Sequence, residues 1–256
     1  EKEVDLAALL TTLWEGKKFI LLITSLFSIG TLIYVLLIPN EYESHIILAP
    51  TSEDSNSVIG GMASQLGGLA SIAGVSIGEG SSSQAQKAMT IMQSWAFVEN
   101  YIVENDLSKL LVAVKSWDNR GLHYYENIFN SSKETWVEGK APTSWELFKV
   151  FSKKVNVSED KKTALVTISF EHYSPIVAKS IAETYVASIN EYMRQRRIQQ
   201  SKDNVAYLQD EVTKTSNSNM KIIFYNIIED QIKNMMLAEA TPEYVFKTVS
   251  KAMVPE

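Results

Sequence analysis

Apolar positions along this chain change their spacing several times, and each change marks an element. Residues 19–38, FILLITSLFSIGTLIYVLLI, carry no ionisable side chain and stop at Pro39. About 20 such residues carry a helix across a bilayer, so the run predicts a transmembrane helix over 19–38. Before it, Val4, Leu6, Leu9, Leu10, Leu13 and Trp14 suit either a short amphipathic helix on the membrane face or a helical extension of the anchor. After it, YESHIILAP (42–50) alternates and then runs apolar, which predicts a strand closed by Pro50. Residues 51–86 are Gly, Ser and small apolar residues, a long loop or insert whose centre, LGGLASIAGVSIG (66–78), is apolar.

From Ser83 the spacing turns helical through Ala88, Ile91, Met92, Trp95 and Val98. A second helix is predicted from Val98 through Tyr101, Ile102 and Leu107 to Leu111. Residues 112–142 are mixed, polar and aromatic. TSWELFKVFSKKV (143–155) predicts a helix capped by Thr143 or Ser144, with Glu146 in its first turn. Two alternating runs, 154–158 and 163–171, flank SEDKK and predict a hairpin.

The longest element opens at Ser174-Pro175, where proline suits a first helical turn. One helix is predicted from 176 to about 213. Its first half carries a stripe at Val177, Ile181, Tyr185, Ile189 and Tyr192, and its middle, RQRRIQQSKDN (194–204), is almost wholly polar. Ile198, Val205, Leu208 and Val212 then fall at heptad-like spacing. TSNSN (215–219) breaks the helix. A returning helix follows, with Met220, Ile223, Phe224, Ile227, Ile228, Ile232 and Met235, the seam being expected near Ile223 and Ile227. Tyr244–Val249 has strand character. The fold class expected is therefore α+β: a transmembrane helix, an α/β base and a long protruding helical hairpin.

Charge gives the anchor a direction. Lys2, Lys17 and Lys18 precede it, whereas Glu41, Glu43, Glu53 and Asp54 follow and no Lys or Arg appears until Lys87. Positive charge stays cytoplasmic, so residues 1–18 form a cytoplasmic tail and residues from 39 onward lie across the membrane. A net charge of −6 argues against a nucleic-acid binder. The absence of cysteine excludes disulfides, thiolate metal sites and a cysteine nucleophile.

Several motifs invite a chemical reading. Gly74-Val75-Ser76-Ile77-Gly78 has the spacing of a nucleophile elbow but lacks the strand and helix that such an elbow needs, so the expectation is a chance match. His45, His123 and His172 are scattered, and neither Gly-Lys pair belongs to a phosphate-binding loop. No catalytic, cofactor-binding or metal residue is assigned and no cofactor is expected. The interaction candidates are Leu66, Leu69 and Ile72 in the apolar insert, and Arg194, Arg197, Ile198 and Leu208 on the long helix. On a helix, residues 194 and 197 share a face and 196 points elsewhere. The arginines are either a solvated face or a contact to a neighbouring subunit or an acidic glycan.

VDLAALLTTLWEGKKFI, IPNEYESHIILAP, LGGLASIAG, SPIVAKSIAETYVASINEYMR, YNIIEDQIKNMMLAEATPEYVF and the closing VPE, in this order, resemble the Wzz-type polysaccharide co-polymerases, chain-length determinants of bacterial O-antigen synthesis. The resemblance implies a periplasmic base of residues 39–174 and a long helix with its return over 175–240. It also implies a final strand over 241–256 that leads to a second transmembrane helix. It further implies a non-enzymatic inner-membrane protein, a homo-oligomer acting on a membrane O-antigen polymerase, with the bilayer as a further partner and the polysaccharide as a candidate one. A membrane-tethered periplasmic ligand sensor is the alternative, although 18 residues are short for a cytoplasmic output domain. A hydrolase resting on Ser76 is a third.

Overall fold

The structure is a computed structural model that describes residues 14, 16–51 and 81–255. The chain divides into two units, Glu1–Asn40 and Glu41–Glu256. The first holds α1 (Lys17–Leu37), a helix whose length and composition suffice to cross a membrane. At 1.5 Å per residue it spans about 31 Å, the thickness of a bilayer's hydrocarbon core. Its large apolar side chains, among them Leu21, Phe27 and Leu32, are exposed rather than folded into a protein core. Lys17 sits over the Trp14 ring at 4.5 Å, a cation–π contact before the apolar stretch begins.

The second unit is built on a four-stranded antiparallel sheet in the order β6-β7-β1-β8. Strand β1 (Tyr42–Pro50) has the predicted bounds. It lies between β7 (Val166–His172) and β8 (Phe246–Ser250), with Ile46 opposite Ile168 and Leu48 opposite Val166. Alternate residues Ser44, Ile46 and Leu48 of β1 face inward, as a half-buried strand requires. The predicted hairpin is β6 (Val155–Glu159) paired with β7.

Helices cover the inner face. They are α2 (Ser81–Met92), α3 (Trp95–Glu104), α4 (Ser108–Val112), α5 (Ser144–Lys154) and the first half of α6 (Pro175–Lys214). Tyr101, Phe151, Phe170 and Tyr185 interlock at the centre, their ring centroids 4.8–5.6 Å apart. Such edge-on aromatic packing adds to the burial of the rings themselves. Burial pushes the Tyr101 hydroxyl up to about 12, and that hydroxyl hydrogen-bonds Thr184 on α6 at 2.6 Å.

Two expectations need correction here. The helix predicted through Val98–Leu111 is two helices. Asp106, at φ 48°, ends α3 in a left-handed turn in which the Leu107 N–H donates to Ile102 O and the Asp106 N–H to Val103 O. That is a Schellman closure with aspartate where glycine is usual, so no glycine signals the stop. The last strand starts at Phe246 rather than Tyr244, because the Val245 and Phe246 N–H groups donate to the Asn190 side chain. The mixed stretch 112–142 forms two small ribbons, β2 (Val114–Asp118) with β3 (Gly121–Tyr124) and β4 (Phe129–Asn130) with β5 (Thr135–Trp136). The choice left open at the start of α5 resolves to Thr143, which forms a reciprocal capping box with Glu146.

Helix α6 runs 40 residues, about 60 Å. After the break at Thr215–Asn217 the chain returns as α7 (Ser218–Ala240), capped by the Asn217 side chain. The fold is α+β, with the long helical hairpin that the periodicity predicts.

Candidate functional site

The hairpin closes through a narrow apolar seam. Leu208 and Val212 of α6 pack with Ile228 of α7, flanked by Val205, Phe224 and Ile227. Ile198 is also buried. On α7 the seam is centred on Phe224, Ile227 and Ile228 instead of Ile223, which is 44% exposed. Residues 224 and 228 share one helical face while 223 turns off it. Asn204 Nδ2 donates to Gln231 Oε1 at 3.4 Å across the two helices. Ser201 lies in the same stripe, its Oγ buried and without a partner among the described residues.

The arginine cluster does not behave as one patch. Arg194 donates from Nε and Nη2 to Glu191 Oε2 at 3.0 and 2.6 Å, and from Nη1 to the Glu239 carbonyl at 3.4 Å. It therefore caps the C-terminal end of α7, where helix carbonyls lack internal donors. Glu191 is held below the usual carboxylate range by its hydrogen bonds from Gln195 and Arg194. Arg196 and Arg197 instead line a common groove of about 750 Å³ between α2 and α6, with Lys87, Gln84, Gln200 and Tyr244. Helical spacing separates 194 from 196, but the groove gathers 197 with 196 rather than with 194. Arg196 was not a candidate in the sequence, and the only signal for it was the RQRR cluster.

A second groove, of about 500 Å³, runs between α3 and α6. Phe97 and Tyr192 meet edge to face there at 5.5 Å.

Leu66, Leu69, Ile72 and the Gly74–Gly78 motif lie outside the described residues. Among the described residues no group of three His, Asp or Glu side chains could hold a metal ion. His123 pairs with Asp118 at 2.9 Å on the exposed β2–β3 ribbon. Chiefly that hydrogen bond from His123 holds the Asp118 carboxyl below its usual range.

His172 is fully buried. Its Nδ1 accepts from the Ser174 N–H at 3.0 Å, so Nε2 carries the proton and donates to the Leu110 carbonyl at 3.0 Å. It thus joins β7, α4 and the start of α6. Burial lowers its pKa below 6.5, against the opposing bond to Leu110 and helped by the nearby charge of Lys154. Above pH 6.5 the folded and unfolded chains both hold it neutral, and it adds no pH dependence. Below that, the unfolded chain takes up a proton that the folded chain refuses. Stability should therefore fall as pH drops from about 6.5 toward the depressed folded value, and level off beneath it. Urea midpoints between pH 7.5 and 5 should show this slope in the wild type and less of it in His172→Asn. Equal slopes would remove His172 as the cause.

Residues 2–105 match the Wzz family model, described as "Chain length determinant protein". Among solved structures the chain is similar to a fragment of WzzB, a polysaccharide co-polymerase from Salmonella Typhimurium. Identity is 10%, with 85% of this chain and 97% of that one covered and a TM-score of 0.35. It is also similar to a full-length bacterial polysaccharide co-polymerase, at 14% identity, covering 98% of this chain and 88% of that one, TM-score 0.43. A mutant of the Shigella flexneri lipopolysaccharide O-antigen chain-length regulator matches at 8% identity, covering 84% of this chain and 98% of that one, TM-score 0.21. No curated protein matches the chain.

Proposed function

We propose, on the premise of the Wzz chain-length-determinant family that residues 2–105 match, that this protein regulates the length of a bacterial surface polysaccharide without catalysing its synthesis. The observation that carries the reading is that match, which runs through the anchor and β1 into α3. The long hairpin is consistent with it, because helix α6 is half built into the base and half free to meet a partner.

In this reading residues 1–18 are a cytoplasmic tail and 19–38 cross the inner membrane. Residues 39–174 form a periplasmic base, 175–240 the hairpin, and 241–256 the last strand. Copies of the chain assemble side by side and act as a scaffold on the membrane O-antigen polymerase. Leu66, Leu69, Ile72, Arg194 and Arg197 are the residues proposed for contacts between copies or with the polymerase, while Ile198 and Leu208, buried in this chain, would support such contacts only by holding the hairpin. The orientation follows from the lysines before the anchor and the acidic residues after it.

Deleting the gene and separating the cell's lipopolysaccharide on a gel tests the function. A defined band distribution should become broad while polymer persists, and the full-length gene should restore it. An unchanged distribution, or complete loss of polymer, would contradict a regulator of length.

A further inference from the structure

Three arginines lie close together on α6, and two of them have no partner among the described residues. Among the described residues Arg196 and Arg197 make no ion pair and no hydrogen bond, and the Arg197 Nε is buried without a partner. A buried guanidinium N–H left unpaired is costly. A chain with net charge −6 has carboxylates to spare, and it spends one of them, Glu191, on Arg194. Among the described residues no carboxylate lines the groove of Arg196 and Arg197.

The rest of the lining indicates what would bind. Gln84 and Gln200 present amides that can donate and accept. Tyr244 contributes a half-buried aromatic ring. Paired guanidinium forks suit a carboxylate, and neutral amides beside an aromatic face suit the hydroxyls and C–H face of a sugar ring. A protein partner would be expected to meet an apolar centre with polar residues at the rim, whereas most residues lining this groove carry charged, amide or hydroxyl groups, Ile91 and Met193 being the aliphatic exceptions.

We propose that the groove between α2 and α6 is a glycan subsite that recognises a carboxylated sugar, with Arg196 and Arg197 holding the carboxylate and Tyr244 against the ring. The proposal rests on the polysaccharide reading above and names the chemistry and the place of contact.

The test is isothermal titration of the full-length protein in detergent with three probes: tri-galacturonic acid, neutral maltotriose and a Glu-rich peptide. Tri-galacturonic acid should bind, weaken as salt is raised, and bind at least about tenfold more weakly to an Arg196→Gln, Arg197→Gln double variant. The thermal midpoint of that variant should stay at the wild-type value, since the two side chains have no partners to lose among the described residues. Maltotriose should bind at least about tenfold more weakly than the uronide. No binding of tri-galacturonic acid, or equal binding by the double variant, would overturn the site. Equal binding of maltotriose would overturn carboxylate recognition, and equal binding of the peptide would assign the groove to a protein carboxylate instead. The gene-deletion gel is independent of these outcomes. A deletion that leaves lengths unchanged while the uronide still binds would reject the regulatory function and keep the subsite.

Discussion

Asn190→Ala should cost the folded protein about 3 kcal/mol or more. This side chain is buried within α6 and ties that helix to the start of the last strand. Its Oδ1 accepts from the Val245 and Phe246 N–H groups, each at 2.9 Å, and its Nδ2 donates to the Phe246 carbonyl at 2.9 Å. Alanine leaves two donors and one acceptor buried without partners, each costing about 1–3 kcal/mol before relaxation. Phe246 and Val245 are themselves core residues, so β8 cannot simply swing out to water without exposing them. Asn190→Asp would restore the acceptor but not the donor, and would bury a charge, so it should not rescue. Urea unfolding measures the loss, and hydrogen exchange at Val245 and Phe246 locates it. A loss under about 1 kcal/mol with unchanged protection of those amides would show that β8 is held by packing and its ladder alone.

Leu208→Asp should open the helical hairpin while the base stays folded. Leu208 is 9% exposed and sits at the centre of a small seam with Val212 and Ile228. A carboxylate there loses the apolar contacts and buries a charge opposite isoleucine, a cost of about 3–5 kcal/mol. The seam is a separate cluster from the main core, so α7 should fray while the sheet and its covering helices remain folded. On the proposed function, the polysaccharide keeps being made and loses its defined length. Loss of all polymer, or an unchanged length distribution, would mean that the hairpin is not the element that sets length. Ile223→Asp is the control. Its side chain is 44% exposed and off the seam, so folding should be nearly unaffected.

Periodicity was most informative where one face of an element is buried against one neighbour. β1, the β6–β7 hairpin, the Thr143 cap and the bounds of α6 are each visible as alternation, as a capping pattern or as a proline. It was least informative where a polar residue does the structural work. Asp106 ends α3 in a left-handed conformation that a sequence reader expects of glycine. Asn190 lies in the apolar stripe of α6 and looks like an ordinary helix-surface amide until its three backbone partners are known. The arginines misled in another way. Their density was plain, but which of them finds a carboxylate depends on Glu191 one turn back and on the end of α7, and no spacing rule orders those contacts. The result is that the clustered charge divides into a helix cap at 194 and a groove at 196 and 197.

Strand β1 sits in the middle of the sheet although it is the first strand made. Both its neighbours come from far along the chain, and the Ser44 hydroxyl donates to the Met253 carbonyl across 209 positions of sequence. Closing a flexible loop of that length costs about 5 kcal/mol of chain entropy before any pairing repays it. Folding should therefore be slow for the size of the domain, because its central strand is completed by contacts of high sequence separation. While a newly made chain waits for β7 and then β8, both edges of β1 are unpaired, and Ile46 and Leu48 face solvent. That interval is when the protein is most exposed to aggregation and to proteolysis, and a strand-sequestering chaperone would act on β1 before any other segment of the sheet.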